Sequence, residues 1–460
     1  MRLLPLVLLA VLALVPTAGA ATIRVDLVCI NYSGKGPETC SNVLAFQAAP
    51  GEANNVTADP PAAGSIVFRD AGAPLTAAGA CTQVDATTAR CPNAGGSVLL
   101  GDGNDRLRFP AGVEQEVFGE AGDDDLAGPK TVRGDDGNDT LSGPQLDGGE
   151  GNDVLTGTTG ADVLYGDHGD DTMNGGPGRD TVDYSLRPSF GVVGEPGTEV
   201  PVTVDLADPA PDGAAGERDT LIAIENVTAS DAAGDVLRGD AGPNVLDARG
   251  GTGPNNESAR DKVFGAGGDD TLEGDGELDG GDGDDQLEGG GFVDVLRGGA
   301  GEDAIAGNLG ADVLEGGSGD DLLDTAEHAD YRSFDVDEVR CGTGRDRVVQ
   351  PDISDRASSC ERIAVGGGLV VDSSTLRKRS GPRVEVVVLC RRDGRRCVTK
   401  VASAAASGSA FNPNLPVSLA PGAKRKLVLK RFHPNGKARL RRSKVIAFGT
   451  KDHGFAVRLR

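Results

Sequence analysis

Aspartates recur every nine residues through the middle of the chain. One run holds Asp153, Asp162, Asp171 and Asp180; a second holds Asp285, Asp294, Asp303, Asp312 and Asp321. A carboxylate offers only oxygen, and oxygen presented at regular intervals is the chemistry of a hard cation. Written in register, residues 148–183 read GGEGNDVLT, GTTGADVLY, GDHGDDTMN, GGPGRDTVD. Residues 280–324 read GGDGDDQLE, GGGFVDVLR, GGAGEDAIA, GNLGADVLE, GGSGDDLLD. Each aspartate takes the sixth place of its unit. An aliphatic residue follows at the eighth place, as Leu155, Leu164, Met173 and Val182 do in the first run.

The elements that position these aspartates follow from the same nine residues. Each unit divides into a six-residue turn and a three-residue strand. Glycines at the first, second and fourth places let the turn reach positive φ at little steric cost. One inward aliphatic residue per strand suits a narrow parallel coil with a single aliphatic stack as its core. Two units on opposite sides make one coil of eighteen residues, with neighbouring coils about 4.8 Å apart. Asp153 and Asp171 then share one edge, and Asp162 and Asp180 the other. Carboxylates stacked at that spacing repel, and no Lys or Arg recurs regularly enough to neutralise them. A calcium ion, with its six to eight oxygen ligands, removes the conflict; magnesium demands stricter geometry and keeps its waters.

The pattern G-G-x-G-x-D-x-U-x, with U a large aliphatic residue, resembles the hemolysin-type (RTX) calcium-binding nonapeptide. The resemblance implies an all-β fold, a parallel β-roll or β-solenoid, with Ca2+ as its ligand. It implies the sixth-place aspartates as side-chain ligands: Asp139, Asp153, Asp162, Asp171, Asp180, Asp270, Asp285, Asp294, Asp303, Asp312 and Asp321. Turn carbonyls complete the set, among them those of Gly148, Gly166, Gly280, Gly298 and Gly316. Phe292 departs from the pattern at a fourth place, and Thr158 and Asn308 at second places. A distorted turn is expected around Phe292, whereas Asn tolerates the left-handed region.

Composition agrees with a repeat architecture. Gly makes up 70 of 460 residues, there is no Trp, and aromatic residues are 3%. A large conventional core is excluded, and aromatic platforms for carbohydrate or nucleic acid are disfavoured. The net charge of −26 conceals a split, because residues 361–460 hold 23 Lys and Arg against 5 Asp and Glu. The chain is thus an acidic coil joined to a basic end.

In chain order, residues 1–20 read as a secretory signal peptide, with Arg2, an apolar run and Ala18-Gly19-Ala20. The apolar run is too short for a membrane span. Residues 21–100 hold short alternating runs, at Thr22–Ile30, Val43–Gln47, Ser65–Phe68 and Ser97–Leu100. This β-rich segment is expected to cap the coil, since an open end exposes core and strand edge. The coil itself is expected over 101–340, with a repeat-poor and metal-free insert at 184–230. Residues 341–365 form a terminal coil held by Cys341 and Cys360. Residues 366–460 form a small basic β-sandwich, with strands at Val384–Cys390, Lys426–Leu429 and Val445–Phe448. The eight cysteines fall into local pairs, Cys29/Cys40, Cys81/Cys91, Cys341/Cys360 and Cys390/Cys397. Export favours disulfides between them, although the sequence leaves connectivity open.

Catalytic patterns are missing. The four histidines, His168, His328, His433 and His453, lie outside residues 21–100 and in no HExxH motif, and no GxSxG elbow occurs. No catalytic residues are assigned. Arg133-Gly134-Asp135 and Arg238-Gly239-Asp240 fall where the repeat requires Gly-Asp anyway. The basic residues Arg391, Arg392, Arg395, Arg396, Lys424, Arg425, Lys426, Arg441 and Arg442 suit an anionic cell-envelope polymer better than nucleic acid in an exported protein. The expectation is a secreted, non-enzymatic, calcium-binding protein with a structural or cell-surface role. A secreted hydrolase or adhesin whose repeats only assist folding is the other reading.

Overall fold

A computed structural model of the chain describes residues 20–30, 39–185, 200–248, 260–325, 337–349 and 356–360, apart from 61, 63, 111, 112, 114, 210 and 231; beyond residue 360 it describes only the strands. Every described element is a strand. Two compact units are present, one of Met1–Glu195 with Asp208–Thr228 and one of Pro196–Ala207 with Ala229–Arg460. Their boundary falls at the repeat-poor stretch. Residues 1–19 of the expected signal peptide lie outside the described residues.

The first unit begins with the β-rich head. Ala21–Ile30 pairs antiparallel with Thr39–Gln47. Ser65–Asp70 pairs antiparallel with both Asn55–Ala58 and Thr88–Pro92. Ile66, Phe68 and Asp70 alternate inward along Ser65–Asp70, as period-two patterning requires. The Cys81–Cys91 disulfide ties this sheet together. The head then sets the register of the coil. Thr39–Gln47 pairs in parallel with Gly96–Leu99, and Asn55–Ala58 with Arg106–Arg108. Its strands therefore cover the end of the coil that would otherwise present open backbone.

From there the first unit is a two-faced parallel coil. One face stacks Gly96–Leu99, Gln115–Ala121, Thr131–Asp136, Gln145–Glu150, Val163–His168, Thr181–Asp183 and Asn226–Thr228. The other stacks Arg106–Arg108, Asp125–Ala127, Thr140–Ser142, Val154–Thr156, Thr172–Asn174 and Thr220–Ile222. Val117, Val132, Leu146, Leu164 and Val182 come inward from the first face; Leu107, Leu126, Leu141, Leu155 and Met173 come from the second. All are completely buried. Each contributes about 1.5–3 kcal/mol by leaving water. A core one residue deep on each side leaves no room for more, which is why aromatic residues are scarce in this part of the chain.

The second unit repeats the plan. Val202–Asp205, Val236–Arg238, Asp261–Gly267, Gly276–Asp282, Val295–Ala300, Val313–Ser318, Glu338–Thr343 and Arg356–Ser358 stack in parallel on one face. Val245–Ala248, Thr271–Gly274, Gln286–Gly289, Ala304–Ala306, Leu322–Asp324, Arg347–Val349 and Arg362–Val365 stack on the other. The Cys341–Cys360 disulfide closes its last coil. Beyond it lie antiparallel strands. Leu369–Lys378, Arg383–Cys390 and Lys424–Lys430 form one group. Cys397–Ala405, Ser409–Leu419, Val445–Gly449 and Gly454–Arg458 form another. The fold is all-β, with parallel solenoid sheets, as the nine-residue phase predicts. Cys29 stands opposite Cys40 in the strand register. Their side chains, those of Cys390 and Cys397, and those of the basic residues beyond 390 lie outside the described residues, as do His328, His433 and His453.

One expectation is corrected. The units are not uniformly six turn residues and three strand residues. Strands on one face run on into the turn, as in Val163–His168, whereas those on the other stop at three, as in Val154–Thr156. The two edges of each coil are consequently different, and the candidate site depends on that difference.

Candidate metal centre

In each coil the chain crosses from the first face to the second through a forward turn, and returns through a second turn. The forward turns of the first unit span 100–105, 119–124, 134–139, 148–153 and 166–171. In the second unit they span 239–244, 265–270, 280–285, 298–303, 316–321 and 341–346. Each is six residues long. Their second places hold positive φ in most turns, as at Glu120 (74°), Asp135 (71°), Gly149 (107°), Asp167 (64°), Ala266 (74°) and Gly299 (114°). Their fourth places are glycine at φ between 109° and 148° wherever the left-handed bend is complete, as at Gly122, Gly137, Gly151, Gly169, Gly268, Gly283, Gly301, Gly319 and Gly344. Gly151 shows why glycine is required there: a Cβ would overlap the Gly137 carbonyl oxygen of the coil below.

This repeated bend places the sixth-place aspartates in a row. The Asp139 N–H donates to Asp153 Oδ1 at 2.7 Å, and the Asp153 N–H donates to Asp171 Oδ1 at 2.8 Å. The row reaches backward through Asp124 and Asp105 to the head, where the Asn54 N–H donates to Asp105 Oδ1. Asp70 steadies that start by accepting from the Asn54 side-chain amide and the Asn55, Gly72 and Ala73 N–H groups. Forward, the Asp171 N–H donates to Asp219 Oδ1. In the second unit the row runs Asn244, Asp270, Asp285, Asp303, Asp321 and Asp346, each N–H donating to the next carboxylate at 2.8–3.2 Å. One oxygen of each carboxylate is therefore held by backbone. Repulsion between stacked carboxylates is offset in part before any cation is considered, which refines the expectation from spacing alone.

The second oxygen is different. Asp105, Asp124, Asp139, Asp153 and Asp171, and likewise Asp270, Asp285, Asp303 and Asp321, are 1–2% exposed. Their Oδ2 atoms are buried with no hydrogen-bond partner among the described residues. A buried carboxylate oxygen in that state is costly unless something binds it. Except for Asp105, whose turn opens on Leu100, each lies beside the first-place glycine of its own turn. A Cβ on Gly148 would meet Asp153 Oδ2 and, at 2.8 Å, the Gly166 carbonyl oxygen. On Gly280 it would meet Asp285 Oδ2 and, at 2.7 Å, the Gly298 carbonyl oxygen; on Gly298, Asp303 Oδ2 and, at 2.6 Å, the Gly316 carbonyl oxygen. Bare carboxylate oxygens thus lie beside the carbonyl of the next turn, in space that only glycine leaves open.

Burial sets the protonation of the row. It pushes Asp105, Asp124 and Asp153 up to about 7, Asp171 up to about 8 and Asp139 up to about 6. In the second unit it pushes Asp270 and Asp303 up to about 7 and raises Asp285 and Asp321. Neighbouring carboxylates add to the rise, and the backbone N–H bonds oppose it.

The return edges hold the remaining expected ligands, Asp162, Asp180, Asp294 and Asp312. The Asp162 N–H donates to Asp180 Oδ1, and the Asp294 N–H to Asp312 Oδ1, so short rows exist here too. Asp162 Oδ2, however, accepts from the Thr158 N–H and hydroxyl, and Asp294 Oδ2 accepts from the Gly290 N–H. The Phe292 turn lacks positive φ at Gly290 and Gly291, whereas Asn308 adopts the left-handed region at 60°. Sequence spacing missed several members of these rows. Asp105 and Asp124 sit in degenerate units whose Gly-Asp pattern was legible. Asp219 and Glu225, which receives the Asp180 N–H, come from the repeat-poor stretch, where no phase announces them.

Among the described residues no three Asp, Glu, His or Cys side chains gather round one point. A site here draws on one carboxylate per step together with backbone carbonyls. That donor set fits calcium, and it does not fit the nitrogen and sulfur ligands of zinc. His168 lies 3.6 Å from Glu217 and 3.9 Å from Glu150, outside the row. Arg133 pairs with Asp147 at 2.7 Å, so its Arg-Gly-Asp tripeptide is part of the coil wall.

The family model of RTX calcium-binding nonapeptide repeats (four copies) matches residues 131–143, 147–182, 258–279, 279–314, 288–323 and 307–331. No curated protein matches the chain. The chain carries RTX calcium-binding repeats.

Proposed function

For an RTX-type calcium-binding β-roll protein built this way, we propose export from the cell, folding that is completed by calcium outside it, and a structural rather than catalytic role. The observation that carries the reading is the row of buried, unpartnered Oδ2 atoms, most of them beside a neighbouring turn's carbonyl. Calcium, when bound, supplies positive charge that holds those carboxylates ionised inside the coil. The chain's own residues do the rest: Asp153 and its equivalents offer oxygen, the first-place glycines leave the space, and the Oδ1–N–H bonds fix each carboxylate's direction. Without the ion, buried oxygens raise the cost of closing each coil. Outside cells calcium is plentiful enough for sites of order 10⁻⁴–10⁻³ M affinity. The apolar leader at residues 1–20 supports export, and no helix among the described residues is long and apolar enough to cross a membrane. The basic C-terminal segment suits an anionic envelope polymer. Circular dichroism of the metal-stripped protein tests the folding claim. Titration with calcium is expected to increase β signal, and an unchanged spectrum refutes it.

A further inference from the structure

Length variation along the coil falls mostly on one side. Successive members of the first unit's row are 19, 15, 14 and 18 residues apart, yet every forward turn keeps six residues. Most of the difference is absorbed by the return edge, whose first-unit turns include 128–130, 143–144, 157–162 and 175–180; Gln115–Ala121 carries one residue more than Val163–His168. The two shortest contain no aspartate. In the second unit the return connection after Thr271–Gly274 is a single residue, Asp275, while the forward turn before it is again six residues long. Backbone pairing follows the same division. Glu120 pairs with Asp135 and Gly149 with Asp167, inside the forward turns. Gly281 pairs with Gly299, and Gly299 with Gly317, likewise.

The side chains agree. Nine forward-edge aspartates keep a bare Oδ2, and seven of them, Asp124, Asp139, Asp153, Asp270, Asp285, Asp303 and Asp321, keep it in a space bounded by the next turn's carbonyl. On the return edge, Asp162 Oδ2 is taken by Thr158 and Asp294 Oδ2 by Gly290. Asp180 keeps a bare Oδ2, with the Ala223 carbonyl 2.5 Å from where a Gly175 Cβ would stand, so this return-edge position resembles the forward ones.

We propose that the sixth-place aspartates are functionally unequal: calcium takes forward-edge positions whose second oxygen stays open beside the next turn's carbonyl, Asp124 ahead of the matched repeats among them, and passes over Asp162 and Asp294 on the return edge, whose second oxygens the protein's own N–H groups occupy. This rests on the calcium-binding reading above. It means that the nine-residue phase overstates the sites, because Asp162 and Asp294 keep the spacing without the open oxygen. It also means that the degenerate unit of Asp124, which keeps the oxygen without clean spacing, binds.

The test is a count of bound calcium on the full chain by equilibrium dialysis and calorimetry. Asp153→Asn and Asp303→Asn keep the Oδ1 acceptor and replace the open oxygen by an amide; each is expected to lower the count by at least one. Asp124→Asn and Asp285→Asn repeat the comparison elsewhere in the rows, should one variant fail to fold. Asp162→Asn and Asp294→Asn are expected to leave the count unchanged. Equal losses from both edges, or no loss from Asp124→Asn, overturn the inference while leaving the calcium-binding reading intact. A wild-type chain that binds no calcium defeats that reading itself, and the inference with it.

Discussion

Protons and calcium should compete for the same oxygens, and the structure sets where. Burial lifts Asp153 from the usual carboxylate value of 3.8 to about 7 and Asp171 to about 8. Between about pH 4 and pH 7 the metal-free folded coil therefore holds protons that the unfolded chain releases. Its stability is greatest at the acid end of that window and falls as pH rises through the folded values. Calcium binds the ionised form, so its effect has the opposite sign. Below pH 7 each ligating carboxylate must lose a proton, and the calcium concentration at half-saturation should rise about tenfold per pH unit per carboxylate engaged. One such group per ion makes the midpoint at pH 5 roughly 100-fold higher than at pH 7, about 1.4 kcal/mol for each unit. Metal-stripped protein would be titrated with calcium at pH 5, 6, 7 and 8 and followed by circular dichroism and calorimetry in two buffers of different ionisation enthalpy. Near pH 6.5 the calorimetry should report protons released on binding. A midpoint that does not move between pH 5 and pH 7, or binding without proton release, would refute the view that these buried carboxylates are the ligands. So would a metal-free melting temperature that climbs across the same range.

Other perturbations separate the coil's core from its edges. Leu155→Ala removes a completely buried member of the aliphatic stack and should cost about 3 kcal/mol in denaturant unfolding, with calcium or without it. Gly151→Ala sets a Cβ against the Gly137 carbonyl at φ 139° and should cost about 3 kcal/mol or more; Gly160→Ala, with only the Thr158 hydroxyl within 4 Å at 3.8 Å, should be nearly neutral. Thermal melts of the pair check this contrast. Cys341→Ser opens a disulfide spanning 19 residues and should lower stability by about 3 kcal/mol, with the second unit's last coil losing amide-exchange protection first.

The nine-residue phase by itself determined a parallel all-β coil, with an aliphatic residue per strand, glycine in the turns and aspartate at each sixth place. These are local consequences: period, side-chain size and backbone freedom are properties of nine consecutive residues. Met173 entered the stack in place of leucine because the strand needs only an inward apolar group. Asp162 gives its second oxygen to Thr158, a departure legible in its own turn, where the turn of Asp153 has Gly149. Which aspartates join a row was not local. Asp219 joins the row from 48 residues beyond Asp171, through a stretch without phase. Only the stacking of coils decides which carboxylate meets which N–H, because that pairing joins residues from separate turns. The tertiary structure therefore decided the membership of each row, while the repeat decided that there would be edges at all.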